Sequence, residues 1–370
     1  MKSNKLIIKT KSKKYPIYFG NNILNQTGRL LKKNLPGVKK ICIISDSKIN
    51  ISNVIKITKS LSKYKLKIYK LNANEKTKSL KVANRIIEQL LNDNFNRSDC
   101  LIAFGGGIIG DLSAFISSLT KRGLKFVNIP TTLLSQVDAS IGGKTGINSN
   151  KGKNLIGTFY QPDFVLSDMA ILKSLPRREM VAGYAEILKH ALISNRNFFS
   201  WLSKNGIKII NKKNNFILKK AIIKSCKIKS EIVNKDEKEK NLRMILNFGH
   251  TFAHGFESAK NFSKKLNHGE AVLIGMRTAS DLSYRKNLLS SQDLSLIIKH
   301  YSDLNLPTTV NKTFKKYEIK KIVSFMKKDK KNVDDKINLI LLNKIGNATN
   351  PKKIKLSSFE IKKFLNSYYN

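Results

Sequence analysis

The sequence has few cysteines and no long apolar segment. Cys42, Cys100 and Cys226 are the only cysteines, and their spacing matches neither a disulfide framework nor a sulfur-rich metal site. No apolar run approaches the roughly 18 residues that a membrane helix needs. Residues 1–14 contain an apolar stretch of only three residues, which is too short for the core of a signal peptide. We therefore expect a cytoplasmic protein with reduced thiols and no membrane segment.

Acidic residues are also scarce. The chain has 25 Asp and Glu against 70 Lys and Arg, which gives a net charge of +45. Such an excess is typical of proteins that bind nucleic acid. Two features argue against that function. The lysines are spread over the whole chain, and only 10 of the 70 cations are arginine, the residue preferred for base and phosphate contacts. We expect no nucleic-acid partner, and interpret the lysines as a compositional bias that leaves a weak attraction for anionic substrates.

Short β-branched segments alternate with amphipathic ones through the first half of the 370 residues. This alternation indicates an α/β fold with a mostly parallel, doubly wound sheet. The candidate strands are Lys5 to Lys9, Ile17 to Phe19, Lys40 to Ser45, Lys65 to Lys70, Cys100 to Phe104, Phe126 to Ile129 and Phe164 to Leu166. The candidate helices between them include Ser79 to Leu91 and Asp111 to Thr120.

The pattern changes near Pro176, where long helical segments replace the strands. These segments are Arg178 to Leu192, Asn214 to Lys235, Gly249 to Ala259 and Glu270 to Leu288. We therefore predict two domains, residues 1–175 and 176–370, of which the second is mainly α-helical. The tail from Asn350 is predicted to be solvated surface.

A glycine-rich loop follows the candidate strand 100–104. Gly105-Gly106-Gly107 leads directly into a helical segment. Glycines in such a loop allow backbone N–H groups to approach an oxyanion, and the helix N-terminus adds its positive end. The spacing is not that of the usual dinucleotide fingerprint, and a flexible turn is the alternative. The strand, loop and helix context favours a site for the phosphates of a nucleotide cofactor.

Two hydroxyls, Thr131 and Thr132, follow the next candidate strand. They are suited to bind ribose or phosphate, but a turn with a threonine helix cap explains them equally well.

A second glycine pair precedes Lys144 in the segment 138–146. The segment lacks the spacing of a Walker loop, which argues against a nucleotidase. Lys144, Lys153 and Asn154 nevertheless concentrate ammonium and amide donors in nearby loops, as an anionic substrate group requires. Because lysine is so common here, each single lysine carries little weight.

Histidine is rare in the chain, yet three of the five histidines fall within 19 residues. His250 and His254 are four residues apart, which places both imidazoles on one helix face at a common metal-ligand spacing. Thr251 stands where the zinc-protease motif needs glutamate, so that class is excluded. His268 is the third histidine of this group. The remaining metal ligand is expected to be a carboxylate, and Glu186 is the candidate. A simple ion pair between Glu186 and Lys189 is the alternative.

Taken in order, these segments resemble the 3-dehydroquinate synthase family. The resemblance covers about residues 5–345 and rests on several long blocks. They are FGGGIIGD (104–111), KRGLKFVNIPTTLLSQVDASIGGKTGIN (121–148), GKNLIGTFYQP (152–162), LPRREMVAGYAEILKHALI (175–193), DEKEKNLRMILNFGHTFAHGFE (236–257), HGEAVLIGM (268–276) and DKK (329–331).

The resemblance implies a Rossmann-like N-terminal domain and a helical C-terminal domain. It also implies NAD and zinc as cofactors, with cobalt as a possible substitute. The implied substrate is a phosphorylated sugar acid, 3-deoxy-D-arabino-heptulosonate 7-phosphate, which is converted to 3-dehydroquinate and phosphate in the shikimate pathway. The implied reaction is a phosphate elimination and ring closure in which NAD is only transiently reduced.

The resemblance also assigns roles to individual residues. Positions that match NAD-binding residues are Asp46, Glu75, Lys78, Gly106, Gly107, Ile108, Asp111, Thr131, Thr132, Asp138, Lys144, Lys153, Ile171, Leu172, Lys173 and Ser174. Positions that match zinc ligands are Glu186, His250 and His268. Positions that match substrate-binding and catalytic residues are Lys144, Asn154, Lys189, Lys229, Arg243, Asn247, His254, and Lys330 or Lys331. Arg122 matches an arginine that reaches into the neighbouring subunit's site, which implies a homodimer.

Other interpretations remain open at this point. Another sugar-phosphate cyclase would share the cofactor and metal positions, and a metal-dependent polyol dehydrogenase would accumulate NADH. The departures from the family pattern are small. Asn74 replaces the usual glycine before Glu75, and Ser174 replaces a threonine but keeps the hydroxyl.

Overall fold

A computed structural model describes residues 4–263, 265–327 and 336–369 of the chain. These residues form two compact units. The first unit consists of the described residues up to Pro176 together with Asn214–Lys238. The second consists of Arg177–Lys213 and the described residues from Glu239 onward.

Strands and helices alternate up to Asp168. In chain order they are β1 (Asn4–Lys9), β2 (Lys14–Gly20), α1 (Thr27–Asn34), β3 (Lys40–Asp46), α2 (Ile51–Ser60), β4 (Lys65–Leu71), α3 (Leu80–Asn92), β5 (Cys100–Gly105), α4 (Gly107–Leu119), β6 (Lys125–Pro130), β7 (Ile147–Ser149), β8 (Gly152–Ile156) and β9 (Phe164–Asp168). The seven predicted strands are all present, each extended by one to three residues at an end.

Helices dominate the rest of the chain. They are α5 (Arg177–Ser194), α6 (Arg196–Ile210), α7 (Asn215–Lys235), α8 (His250–Ala259), α9 (His268–Arg285), α10 (Ser291–Asp303), α11 (Val310–Thr313), α12 (Ile319–Lys327) and α13 (Ser358–Asn366). Four short strands form two small antiparallel pairs, β10 (Lys336–Leu339) with β13 (Ile354–Ser357) and β11 (Leu342–Lys344) with β12 (Asn347–Ala348). The predicted fold class, a doubly wound α/β domain followed by a mainly helical one, is confirmed.

The first unit is built on a seven-stranded sheet in the order β1-β2-β9-β6-β5-β3-β4. Only β1 runs antiparallel to its neighbour, and the other five pairings are parallel. Both faces of the sheet are covered by apolar clusters, so β5 is buried along its whole length. Burial on both faces explains why the central strands are continuous apolar runs.

All three cysteines are buried, and burial raises the pKa of each thiol. Within the described ranges, none of the helices combines the length and apolarity of a membrane-spanning segment.

Helix α7 packs with the first unit, although it lies after residue 176 in the chain. It buries Ala221, Ile222 and Val233 and contacts β1 and β2. The prediction placed this helix in the second domain, because amphipathic periodicity shows that one face is buried and leaves its partner undefined. The predicted domain boundary between residues 175 and 176 therefore stays a prediction. The structure groups residues 214–238 with the first unit.

Two further parts of the second unit bear on the sequence predictions. Residues 180–193 of α5 are buried on every side, so this helix forms the interior of the unit. The tail from Asn350 was predicted to be solvated surface, and this is wrong. Ile361 and Leu365 of α13 are fully buried, and β13 pairs with β10.

A buried histidine links three helices of the second unit. His300 on α10 is 2% exposed, and its Nε2 lies 2.9 Å from the hydroxyl of Tyr184 on α5. Its Nδ1 lies 3.2 Å from Oγ of Ser203 on α6. Burial lowers the pKa of His300 to about 4, despite an opposing effect of Asp303. The folded protein therefore holds this imidazole neutral.

This histidine predicts a loss of stability in mild acid. Below the unfolded pKa of about 6.5, the unfolded chain binds a proton that the folded chain rejects until about pH 4. When the pH is lowered from about 7.5 to about 5, the neutral His300 should reduce the unfolding free energy by about 2 kcal/mol. Urea unfolding of wild type and His300→Gln at both pH values measures this. Equal losses in the two proteins would contradict the prediction.

Candidate active site

The carboxyl ends of the central parallel strands bring the predicted cofactor segments to one edge of the sheet. Gly105 ends β5, Pro130 ends β6 and Asp46 ends β3. The backbone amide of Thr131 donates to the carbonyl of Gly105 at 2.9 Å, which joins the glycine loop to the end of β6. The first turn of α4 therefore presents its backbone N–H groups at the edge where doubly wound folds bind ligands.

Space, rather than an unusual backbone angle, requires glycine at position 105 of this loop. Gly105, Gly106 and Gly107 all have φ outside the left-handed region. A Cβ on Gly105 would lie 2.5 Å from Cβ of Ile109, whereas one on Gly107 would lie 3.6 Å from Cβ of Ala139. Ile108 is partly exposed next to them. The loop thus stays close to the next helical turn and leaves its outer face open.

Three predicted site residues meet around the amine of Lys78, which is buried just before α3. Nζ donates to Oδ2 of Asp111 and to Oδ1 of Asn154, in each case at 2.5 Å. Asp111 lies one turn into α4, and Asn154 lies on β8. The prediction gave Asn154 to the substrate and the other two to NAD, so the structure groups Asn154 with residues predicted to bind the cofactor.

A second polar group surrounds Glu75 in the same unit. Nζ of Lys153 donates to its carboxylate at 3.0 Å, and the amide of Asn148 donates to the other oxygen at 2.7 Å. Partial burial raises the pKa of Glu75, but these two partners outweigh it and hold the pKa below its ordinary value. Asn74 has negative φ and accepts bonds from the amides of residues 76 and 77. Its replacement of glycine therefore costs no backbone strain here.

Thr132 caps the turn that follows β6. Its Oγ1 accepts a bond from the amide of Ser135 at 3.1 Å, and Oγ of Ser135 accepts one from the amide of Thr132. The capping interpretation of this threonine is therefore what the structure shows. The turn continues into a five-residue π-helical segment, Ser135–Ala139, a form that often occurs at functional sites.

Asp138 lies in this π-helical segment and pairs with Lys229 of α7. Nζ of Lys229 donates to both Oδ1 and the backbone carbonyl of Asp138, each at 2.6 Å. Lys229 is nearly buried. A residue predicted to bind NAD and one predicted to bind substrate are thus bonded directly to each other, which adds a polar contact between α7 and the rest of the first unit.

The other predicted cofactor residues differ in how exposed they are to solvent. Asp46 accepts a bond from the amide of Lys48 at 3.1 Å. Ile171 and Leu172 are buried in a 3-10 turn. Lys173 and Ser174 are exposed on the same turn.

Two predicted cations of the first unit are exposed. Lys144 lies next to Gly143, which has φ of 63°, and its backbone forms a bridge with Phe159. Arg122 lies in a short helical turn after α4 with φ of 61°. Positive φ is uncommon for arginine and is frequent at functional positions.

The predicted metal ligands come together in the second unit. One ligand atom from each of Glu186, His250 and His268 lies within 4.8 Å of the others. Nε2 of His250 is 3.6 Å from Oε1 of Glu186, and the rings of His250 and His268 have centroids 5.5 Å apart. The three side chains start from α5, α8 and α9.

Close helix packing at glycines makes this assembly possible. Gly269 follows His268, and a Cβ there would lie 2.2 Å from Cα of Ala182 on α5. A Cβ on Gly275 would lie 2.2 Å from the carbonyl oxygen of Gly249 at the start of α8. Helix α9 therefore approaches both α5 and α8 at distances that only glycine permits.

The chemistry of the three side chains fits a divalent metal. Glu186 is 1% exposed, and neither carboxylate oxygen has a hydrogen bond of good geometry among the described residues. Lys189, one turn later on α5, forms an ion pair with it, as the alternative interpretation anticipated. Two imidazoles and one carboxylate are a typical ligand set for catalytic zinc, which leaves a coordination position for substrate.

Three more predicted substrate residues lie near the start of α8 in the chain. Arg243 is buried in the 3-10 turn Leu242–Asn247, and the amide of Asn247 donates to Glu239 at 2.7 Å. The ring of His254 stands edge-on to that of His250, with centroids 5.9 Å apart. Lys330 and Lys331 lie outside the described residues.

One residue near the metal cluster was not among the predicted site residues. Glu257 is buried on α8, and its Oε2 lies 3.3 Å from Nδ1 of His268. It follows His250 by seven residues and His254 by three, so all three share a helix face. That periodicity was the available signal.

Solved structures with the same fold include cyclases and a dehydrogenase. A 2-deoxy-scyllo-inosose synthase has a TM-score of 0.87 at 23% identity, covering 98% of this chain and 100% of that one. The 2-epi-5-epi-valiolone synthase of Streptomyces hygroscopicus subsp. jinggangensis 5008 has a TM-score of 0.83 at 24% identity, covering 96% of each chain. A probable glycerol dehydrogenase from Sinorhizobium meliloti 1021 has a TM-score of 0.68 at 14% identity, covering 95% and 96%. At these identities the likeness describes the fold.

Sequence relatives define the family more narrowly. The profile "3-dehydroquinate synthase N-terminal" matches residues 68–182, and "3-dehydroquinate synthase C-terminal" matches residues 183–332. The 3-dehydroquinate synthase of Pelagibacter ubique (strain HTCC1062) is 53% identical over 343 residues, 92% of this chain and 93% of its own. That of Dictyoglomus thermophilum is 43% identical over 345 residues, 92% of each. The chain belongs to the 3-dehydroquinate synthase family, which confirms the family and activity predicted from the sequence.

The glycine loop yields a matched pair of substitutions. Gly105→Ala should lower the unfolding free energy by about 1–3 kcal/mol, because its methyl group would overlap Ile109. Gly107→Ala should leave stability unchanged or raise it slightly, because its contact is ordinary and alanine favours helix. Denaturant unfolding of both variants measures the difference. Equal effects would show that space does not select Gly105.

Proposed function

We propose that the chain converts 3-deoxy-D-arabino-heptulosonate 7-phosphate to 3-dehydroquinate and phosphate with bound NAD and a divalent metal. Zinc is the metal that we propose. The observation that carries the proposal is the buried carboxylate of Glu186 grouped with His250 and His268. A phosphate elimination that proceeds through transient oxidation of an alcohol uses such a site for a metal and a separate site for NAD.

The cofactors of structural neighbours support this assignment. The 2-deoxy-scyllo-inosose synthase structure holds carbaglucose-6-phosphate, NAD⁺ and Co²⁺, and the 2-epi-5-epi-valiolone synthase structure holds NAD⁺ and Zn²⁺. We propose NAD and zinc for this chain, with cobalt as an alternative metal. The phosphate-bearing ligand of the first structure agrees with a phosphorylated substrate.

The first unit supplies the proposed NAD site. Backbone N–H groups of Gly106, Gly107 and Ile108 at the start of α4 receive the pyrophosphate. The clusters around Lys78 and Glu75 bind ribose hydroxyls, because each combines carboxylate acceptors with ammonium donors. Asp46, Thr131, Thr132, Asp138 and the turn 171–174 complete the proposed contacts.

The second unit supplies the proposed metal site and proton transfer. When bound, the metal polarises a secondary hydroxyl of the substrate, and NAD accepts and returns a hydride. His254 is assigned to the proton of that hydroxyl, because its imidazole is adjacent to His250 and histidine is the side chain that most often transfers protons in enzymes.

Cationic side chains are proposed to bind the two anionic ends of the substrate. Arg243, Lys144 and one lysine of the pair at 330 and 331 orient the phosphate and carboxylate and stabilise negative charge that develops in the reaction. Lys189, Lys229, Asn154 and Asn247 complete the proposed substrate contacts. Arg122, exposed after α4, is proposed to reach a second subunit in a homodimer. The cytoplasmic location stays a prediction.

A phosphate-release assay tests the proposed reaction. Phosphate should appear from the heptulosonate phosphate only with NAD and metal present, and a chelator should abolish its release. NADH absorbance should not accumulate, because the hydride returns in the same turnover. Stoichiometric NADH would instead indicate a polyol dehydrogenase. Phosphate release from a different sugar phosphate, with none from this one, would indicate another cyclase.

Replacement of His254 tests the proton-transfer role. His254→Ala should retain the metal, because Glu186, His250 and His268 remain, and should lose about 100-fold or more in turnover. Metal content and kcat measured on the same preparation separate the two effects. Turnover close to that of wild type would show that the role is wrong.

A further inference from the structure

His268 is the least enclosed of the three proposed metal ligands. Its side chain is 37% exposed, whereas that of Glu186 is 1% exposed. It is also the first residue of α9. A partly exposed imidazole at a helix start keeps rotational freedom unless a second group holds the ring.

Glu257 is the group that contacts this ring. It lies on α8 with its side chain 9% exposed, and its Oε2 is 3.3 Å from Nδ1 of His268. A carboxylate only accepts hydrogen bonds, so Nδ1 is the donor and carries the proton. The neutral ring is thereby set to the tautomer whose Nε2 is free to bind a metal.

The other proposed histidine ligand follows the same pattern. Nδ1 of His250 is 3.3 Å from the backbone carbonyl of Phe248, which also only accepts. Its Nε2 is the atom that lies 3.6 Å from Oε1 of Glu186. Both rings therefore use Nδ1 for an anchor, one to the backbone and one to a buried carboxylate.

We infer that Glu257 is a positioning residue of the metal centre, acting through His268 to fix its tautomer and ring orientation and to raise its basicity as a ligand. This inference rests on the metal site of the proposed function. Carboxylate partners of ligating histidines commonly change metal affinity by about 10- to 100-fold when they are replaced.

Zinc affinity of graded variants tests the inference. Glu257→Ala should weaken Zn²⁺ binding by about 10- to 100-fold in competition with a chromophoric chelator. Glu257→Gln should weaken it less, because the amide oxygen still accepts from Nδ1 but lacks the charge. The visible spectrum of the Co²⁺-loaded variants should also change, since it reports ligand geometry, which a role in packing alone would leave unaltered.

Two controls keep the outcomes separate. Glu318→Gln makes the same chemical change at a carboxylate of the second unit bonded to Lys260 and to the Lys315 amide, and it should bind Zn²⁺ like wild type. His250→Ala should abolish tight Zn²⁺ binding. If it does not, the proposed metal site itself is wrong.

If His250→Ala loses Zn²⁺ while both Glu257 variants keep wild-type affinity and Co²⁺ spectra, only the role of Glu257 is overturned. Circular dichroism of each metal-free protein shows whether the variant is folded. Should the alanine variant fail to fold, the isosteric glutamine variant decides.

Discussion

A carboxylate buried on the central helix sets the main constraint on the second unit. Glu186 lies midway along α5, within the run of residues that is buried on every side. Such a charge is costly unless paired, and Lys189 on the same helix supplies one compensating charge. The imidazole of His250 approaches from α8. The close helix contacts at Gly269 and Gly275 follow from the need to bring these partners to one point.

Much of the fold was predictable because burial on both faces leaves a clear record in the strands. Residues 100–104 form one continuous apolar run, and the structure places them inside the sheet between β6 and β3. The sequence of an amphipathic helix, in contrast, does not show which element the helix packs against. Helix α7 has the periodicity of a surface helix, and nothing local shows that it packs against β1 and β2. The buried residues of α13 were also missed, because the surrounding lysines make the segment look solvated.

The site was predictable as a set of residue types, largely through the family resemblance, and less so as a set of contacts. Local spacing placed His250 and His254 on one helix face, and scarcity of histidine drew attention to His268. Spacing did not show that Asn154 shares Lys78 with Asp111, or that Thr132 is a helix cap. The contacts of Lys78 join segments far apart in the chain, whereas the Thr132 cap is local and was one of the two interpretations that the sequence left open. Glu257 was within reach of the helical period, but a glutamate on a helix is ordinary until its burial is known.

The two outer strands of the sheet show a further consequence of the lysine excess. Strand β4 ends the sheet on one side and exposes Lys65, Lys67 and Lys70, while β1 ends it on the other and exposes Lys5 and Lys9. An open strand edge is a template for pairing with another chain, and like charges along it oppose such pairing. The lysines of these two strands therefore oppose edge-to-edge pairing, most strongly where salt is too dilute to screen their charges.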